Sequence, residues 1–233
     1  MKPWNAPITL LFWLALFITS QLPLLTLIVV LLLTQPDMLK AGSAALSSNA
    51  LLLVLASLIH LASTVVFSVM FIRLKRGLSV RAYLALNKAS LKTYLLWILF
   101  TLLFASAAGL AEFLFNGHDS QIWFEKLWSS TTNHIPLLLS IFVLAPLSEE
   151  ILYRGVLQTG LAQSRLGFAG AVIIPSLLWA GTHLQYNAFD MGLIFLLGLL
   201  LGIARQRTQS LYVTIAMHCA MNLFSVCLFL ITR

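Results

Sequence analysis

Seven long apolar runs set the architecture of this chain. Most are long enough to cross the roughly 30 Å hydrocarbon core of a bilayer as an α-helix. They cover residues 8–34, 50–72, 93–111, 135–153, 168–185, 190–204 and 211–231. Of 233 residues, 60% are hydrophobic and 9% are charged, a composition that excludes an ordinary soluble domain. The sequence predicts an all-α, multi-pass integral membrane protein, in which residues 1–233 form a single polytopic transmembrane helical bundle.

Two segments are predicted to differ from an ordinary membrane span. Residues 122–133 carry Trp123 and Trp128, which favours an interfacial helix at headgroup level and makes eight helices with the seven spans. The run 190–204 is short, and we expect it to cross only a thinned or partly protein-filled region. Within it, Gly198 and Gly202 form a G-x-x-x-G pattern, which predicts close helix packing.

The charged residues predict the orientation of the bundle. Loop 73–92 contains six Lys and Arg residues and no acid, whereas loop 112–134 contains Glu112, Asp119 and Glu125 against a single Lys126. Basic loops stay in the cytoplasm, so the N-terminus is predicted to lie inside. The net charge of +7 is therefore interpreted as a topology signal. We therefore expect the lipid bilayer as a partner of the chain, and we expect no nucleic acid.

Two adjacent carboxylates stand out inside the fourth run. Glu149 and Glu150 lie where charge is costly, and ionisable residues inside a span indicate function by default. Glu150 and Arg154 are four residues apart on one helix face, so they are predicted to pair. Glu149 points about 100° away around the helix and has no local partner. A half-buried carboxylate of this kind is a candidate general base.

Three further polar side chains are predicted to join Glu149. His183 follows Trp179 by one helical turn, and His218 and Asn222 share a face of the seventh run. If the fourth and fifth runs form a hairpin that turns near residues 165–166, Glu149 and His183 lie at the same level, roughly 25 Å from the turn. With the turn projecting into the cytoplasm, the site is predicted to face the cytoplasm.

This set of groups predicts amide hydrolysis. Glu149 and His183 would activate a water molecule, and His218 and Asn222 would stabilise the oxyanion that develops on the carbonyl. The alternative is a zinc site, because two histidines and a carboxylate are plausible ligands. Against that alternative, the sequence contains no H-E-x-x-H motif, and a neutral amide such as Asn222 is a poor ligand. A mechanism without a required metal is favoured, and zinc remains the alternative.

The three motifs resemble those of the CPBP intramembrane protease family, also called Abi, which includes the type II CAAX prenyl endopeptidases. The motifs are Glu149-Glu150-x-x-x-Arg154, Trp179-x-x-x-His183 and His218-x-x-x-Asn222. The resemblance covers a catalytic core at residues 135–230, with Trp179 where the family more usually has Phe. It implies an intramembrane endopeptidase in which Glu149, His183, His218 and Asn222 are catalytic and Glu150 and Arg154 supporting.

The resemblance also implies a setting and leaves one alternative function. We expect a bacterial cytoplasmic (inner) membrane and a substrate that is a membrane-associated peptide or protein. Some relatives are associated with bacteriocin immunity or act as scaffolds. A non-catalytic membrane scaffold or immunity-type protein is therefore the alternative to a protease.

Overall fold

The computed structural model describes residues 5–34, 50–74, 77–115 and 119–232, and in these ranges the chain is helical without a β-strand. Lys75 and Arg76 of the basic loop lie outside the described residues, as does the side chain of Trp123. The helices are α1 Ala6–Thr34, α2 Ala50–Leu74, α3 Val80–Tyr83, α4 Leu91–Phe115, α5 Asp119–Ser130, α6 His134–Ala162, α7 Gly167–Ala180, α8 Ala188–Thr208 and α9 Leu211–Thr232.

Six of the described helices are long and apolar enough to cross a membrane, namely α1, α2, α4, α6, α8 and α9. The prediction of a helical polytopic bundle is confirmed. The fifth predicted span is a shorter helix, because α7 ends at Ala180 and residues 181–187 form a loop. The sixth predicted span is longer than expected: α8 has 21 residues, so the expectation of a short crossing is wrong. Its last turn contains Arg205 and Arg207, which a hydropathy criterion trims away.

Helix α6 is continuous but contains two π-helical segments, Ser140–Leu144 and Ile151–Leu157. A π-turn inserts a residue into the helix, so it changes which carbonyls remain available and which way side chains point. Such turns occur frequently at functional sites. The two segments flank Glu149 and Glu150, which lie on the short α-helical stretch Ala145–Glu150 between them.

Small residues allow the helices of the core to approach closely. A Cβ atom added to Gly198 would lie 2.8 Å from the Cβ of Ser176, and one added to Gly202 would lie 3.1 Å from Val172. Both positions therefore bring α8 against α7, which confirms the close packing predicted from the G-x-x-x-G pattern. Gly109 has the same effect between α4 and α9, where an added Cβ would lie 3.2 Å from Leu228.

The bundle has two distinct faces, which we call the basic face and the distal face. The basic face contains the loop 77–90 and residues 209–210, joined by the Asn87 amide donating to the Gln209 carbonyl at 2.9 Å. The distal face contains the loop 181–187 and helix α5. Helix α5 packs against the C-terminal half of α9, with the rings of Phe124 and Phe229 4.8 Å apart.

Candidate active site

Glu149 lies near the middle of α6 with its side chain 26% exposed. The indole Nε1 of Trp179 donates a hydrogen bond of 2.6 Å to its Oε2 atom. Glu149 is thus half-buried, as the sequence predicts, and it has no partner of its own helix. Its partner comes from α7, where Trp179 is itself buried. A charge-assisted bond of this length fixes the position of the carboxylate.

His183 lies just beyond the end of α7, one turn after Trp179. Its Nδ1 atom is 2.9 Å from the Trp179 backbone carbonyl. A carbonyl can only accept, so Nδ1 carries the hydrogen in this contact. In the neutral ring, Nε2 is then left with a free lone pair. The imidazole also contacts the indole edge to face, with ring centroids 5.2 Å apart.

Glu150 forms a buried network behind Glu149. Its Oε1 atom accepts from Arg154 at 3.0 Å and from Nδ1 of His218 at 3.0 Å, and the Glu150 and Arg154 side chains are fully buried. The Arg154 guanidinium also reaches the Gly198 carbonyl at 3.3 Å and lies 4.5 Å from the centre of the Trp179 ring. The spacing-based expectation that Glu150 and Arg154 pair agrees with this geometry.

His218 connects the two glutamates. Because Nδ1 donates to Glu150, Nε2 is the atom that faces Glu149, 3.9 Å from Oε2. His218 can therefore donate to an oxyanion through Nε2 only when both ring nitrogens carry hydrogen. As an imidazolium it would make Glu149, Glu150, Arg154 and His218 a set with no net charge.

Asn222 is held by the first π-helical segment of α6. Its Nδ2 atom donates to the Ile141 carbonyl at 2.9 Å. An amide nitrogen has two hydrogens, and this contact uses one of them. The second is available to a ligand in the same cavity, because both Asn222 and Ile141 line it.

The four predicted catalytic residues, Glu149, His183, His218 and Asn222, all line one cavity of about 370 Å³. The rest of its lining is largely apolar and comes mainly from α4, α8 and α9. Glu150 and Arg154 are absent from the lining and lie behind it. The functional groups of these four residues are a carboxylate, two imidazoles and an amide, and they line a mostly apolar cavity.

Tyr186 lies in the loop before α8 and lines the distal part of the cavity. Burial, reinforced by the charges of Asp190, Glu112 and Glu149, raises the pKa of Tyr186 to about 12. The phenol therefore keeps its hydrogen at neutral pH. Glu112 and Asp190 line the same part of the cavity, so this region contains carboxylates that the sequence analysis did not assign to the site.

Burial along α6 indicates toward which face of the bundle the cavity extends. The part of α6 after Arg154 does not project beyond the bundle: Arg154, Gln158 and Leu161 are buried, and the Gln158 amide donates to the Gly202 carbonyl at 2.7 Å. The cavity extends away from this end, toward Tyr186 on the distal face. The side of the membrane that each face occupies, and with it the predicted cytoplasm-facing site, stays a prediction.

A structural or catalytic metal ion needs at least three protein ligands close together. In the part of the chain that the structure describes, no three His, Cys, Asp or Glu side chains are grouped closely enough to hold one. The Nδ1 atoms of His183 and His218 are both directed at protein acceptors. A zinc site made by Glu149, His183 and His218 is therefore not formed in this arrangement, and metal dependence stays a prediction.

The fold is that of a polytopic helical membrane protein, and comparison with known proteins shows what its second half resembles. Residues 130–224 match the family described as type II CAAX prenyl endopeptidase Rce1-like. The resemblance predicted from the three motifs is confirmed by this match, and the matched family is one of protease-type hydrolases. All six residues predicted for the site lie within the matched segment.

One curated relative is an Escherichia coli protein described as "Uncharacterized 24.3 kDa protein", 40% identical over 85 residues. The aligned region is 35% of this chain, and the chain spans 38% of that relative's length. No solved structure gives a significant match.

Sequence reasoning missed two contacts of the site. In the sequence Trp179 is only the aromatic residue of a motif, whereas in the structure it is the hydrogen-bond donor to Glu149. Its position one turn before His183 is a signal that both side chains share a face. His218 was assigned to the oxyanion alone, and its contact with Glu150 was not foreseen. No spacing rule in the sequence could connect residues 68 positions apart.

Proposed function

We propose that this protein is an intramembrane endopeptidase that hydrolyses a peptide bond of a membrane-associated protein or peptide. The observation that carries the proposal is the cavity in which Glu149, His183, His218 and Asn222 meet. Membership of residues 130–224 in a family of protease-type hydrolases supports it. The reaction needs a general base, a hydrogen-bond donor to the oxyanion and a site that restricts the access of bulk water. The polar residues of the cavity lining can act as the base and the donor, and the largely apolar walls restrict water.

In the proposed mechanism Glu149 is the general base that takes a proton from water. The Trp179 N–H holds its Oε2 atom, so the other oxygen, Oε1, is the one that would face the water. Nε2 of His183 has a free lone pair in the neutral ring and would accept a hydrogen bond from the same water. Attack on the carbonyl carbon places negative charge on its oxygen. The proton taken from water then goes to the leaving amine, which departs as the C–N bond breaks.

The oxyanion would be stabilised by Asn222 and His218. The second hydrogen of the Asn222 amide is one donor, and Nε2–H of a protonated His218 is the other. Glu150 and Arg154 are positioning residues in this proposal, because they hold His218 and the Trp179 ring and do not line the cavity. No metal is required, and zinc held by Glu149, His183 and His218 is the alternative.

The protein is an integral membrane protein, and we propose the bacterial cytoplasmic membrane with the N-terminus inside. The test of the function is to incubate the purified protein in lipid vesicles with single-span membrane polypeptides and to search for new peptide termini by mass spectrometry. We expect cleavage in or near the spans. If the protein leaves every polypeptide intact but still supports a cellular phenotype after Glu149→Gln, a non-catalytic scaffold or immunity-type role replaces the protease.

A further inference from the structure

A second cavity lies at the basic face of the bundle. It has a volume of about 440 Å³ and lies between the start of α4 and the end of α8. Ala89, Lys92 and Leu96 line it on the α4 side, and Arg207 and Thr208 line it on the α8 side. Among the described residues, this pocket and the candidate active-site cavity share no lining residue. The proposed hydrolysis therefore gives this pocket no role.

The two helices that form the pocket both end at the same level of the membrane. Helix α4 begins at Leu91 and α8 ends at Thr208, and both are long and apolar enough to span a bilayer. With 25 residues, α4 is roughly 37 Å long, more than the roughly 30 Å hydrocarbon core. Lys92 is the second residue of α4 and Arg207 the last but one of α8. Both cations therefore lie at the level of the lipid headgroups.

The pocket is positively charged and has no carboxylate in its described lining. Lys92 and Arg207 are exposed, and the guanidinium of Arg207 lies 6.0 Å from the ring of Phe168, which is uncharged. The hydroxyls of the lining residues Thr93 and Thr208 already bond within their own helix ends. Lys92 and Arg207 are thus the polar groups left for a ligand. Two like charges beside one pocket repel each other, and an anion between them removes that cost.

A set of hydrogen bonds holds the two sides of the pocket together. The Asn87 amide donates to the Gln209 carbonyl at 2.9 Å, the Ser210 hydroxyl donates to the Asn87 carbonyl, and the Leu211 N–H donates to the Ala85 carbonyl at 2.9 Å. Ala85 and Gln209 have φ angles of 49° and 50°, a region that residues other than glycine seldom adopt. Such a conformation persists where the surrounding contacts fix it. The pocket is therefore formed before a ligand binds, which lowers the cost of binding.

An apolar row continues from the pocket along α4. Leu96 lines the pocket, and Leu99 and Leu103 follow it at i+3 and i+7 on the same helix face. Their side chains are 46%, 52% and 59% exposed, so neighbouring helices leave the row uncovered. In a membrane this row faces acyl chains. A ligand with a phosphate and an acyl chain fits both the cations and the row, whereas a free phosphate ion fits only the cations.

We propose that this pocket binds the phosphate group of an anionic phospholipid. Lys92 and Arg207 contact the phosphate, and an acyl chain lies against Leu96, Leu99 and Leu103. A guanidinium offers paired N–H donors to phosphate oxygens, and an ammonium adds a point charge. Basic pockets between transmembrane helices are a recognised type of site for anionic headgroups. A zwitterionic lipid brings its own cation to the two that are present, so it binds more weakly.

Native mass spectrometry of the purified protein in detergent tests the proposal. Phosphatidylglycerol and phosphatidylcholine with the same acyl chains are titrated separately, and the lipid retained on the protein is measured. We expect the parent to bind phosphatidylglycerol about tenfold more tightly. Lys92→Gln, Arg207→Gln should weaken that binding about thirtyfold, since each basic residue near an anionic lipid contributes about a factor of five. Arg81→Gln, Arg165→Gln is the matched control, because it removes two exposed cations outside the pocket and should bind like the parent.

Equal affinity of the parent for the two lipids overturns the proposal. An equal loss in both double variants also overturns it, because the attraction would then depend on total charge and not on the pocket. Inorganic phosphate is added as a competitor, and we expect the lipid to stay bound. Displacement of phosphatidylglycerol by inorganic phosphate at a similar concentration would make the ligand a free anion and overturn the lipid assignment. If the Lys92→Gln, Arg207→Gln protein does not fold, the two single variants, each expected to lose about fivefold, decide the question.

Discussion

The indole nitrogen of Trp179 lies 2.6 Å from Oε2 of Glu149 and joins α7 to α6 at the centre of the site. The same ring contacts His183 and His218, with centroids 5.2 Å and 5.1 Å away, and the guanidinium of Arg154. One buried side chain thus contacts four of the polar groups at the centre of the site. Its N–H determines where the Glu149 carboxylate points.

Trp179→Phe should slow turnover while leaving the protein folded. Phenylalanine is the more usual residue of the resembled family at this position, so the space accepts its ring. The lost bond to a charged group is worth about 1.5–3 kcal/mol, which corresponds to a roughly 10- to 100-fold loss if Glu149 needs that support. The effect should fall on kcat and spare KM. Trp97→Phe on α4 is the matched control, and parent-like turnover of Trp179→Phe would show that Glu149 does not depend on the indole.

Arg154→Met should destabilise the protein strongly. It leaves the fully buried Glu150 without its arginine, and removing one partner of a buried pair costs about 3–5 kcal/mol. Thermal unfolding in detergent measures the loss, with Arg165→Met at an exposed position as the control. The double variant Glu150→Gln, Arg154→Met should recover part of the stability. An unchanged melting temperature in Arg154→Met would remove the positioning role from this pair.

Asn222→Ala should lower turnover by about a hundred- to a thousandfold, the usual cost of one lost oxyanion donor. Substrate affinity should change little, because the charge forms only in the transition state. Ser225→Ala is the control, since Ser225 lines the same cavity from the same helix. A rise in KM with unchanged kcat would instead assign Asn222 to substrate binding.

Thorough chelation should leave the parent protein active, since the proposed water activation uses Glu149 and His183 alone. Cleavage is measured after dialysis against a chelator and again after addition of single divalent metals. Loss of activity that zinc alone restores would make Glu149, His183 and His218 ligands. The location of the site would then stand while the assigned roles would change.

Hydropathy and helical spacing predicted the helices and several contacts within them, because both depend only on residues that are close in the sequence. Long apolar runs must form helices in a bilayer, and residues four apart, such as Glu150 and Arg154, share a face in any helix. The Gly198 and Gly202 contact was predicted for the same reason. The motif residues also fell around one cavity, because their depths could be counted along each helix.

The features that the sequence did not predict depend on how the helices pack against one another. The fifth predicted span ran to residue 185, yet α7 ends at Ala180, and the loop that follows contributes His183, Gln185 and Tyr186 to the cavity lining. The buried segment after Arg154 looked like a polar hairpin tip because it contains Gln158, whose partner is a carbonyl 44 residues away. These two misreadings concern the hairpin from which the side of the site was predicted, and that side stays a prediction. The π-helical segments of α6 have no signature in the apolar pattern.

The central claim is that Glu149 activates the water that cleaves the substrate. The measurement is the cleavage rate of purified Glu149→Gln in lipid vesicles, beside the parent and Glu125→Gln, an exposed carboxylate on α5. Glutamine keeps the shape of the side chain and still accepts from Trp179, so the melting temperature should stay close to that of the parent. We predict that Glu149→Gln shows no cleavage above background while Glu125→Gln cleaves at the parent rate. Equal rates in Glu149→Gln and the parent would contradict the account.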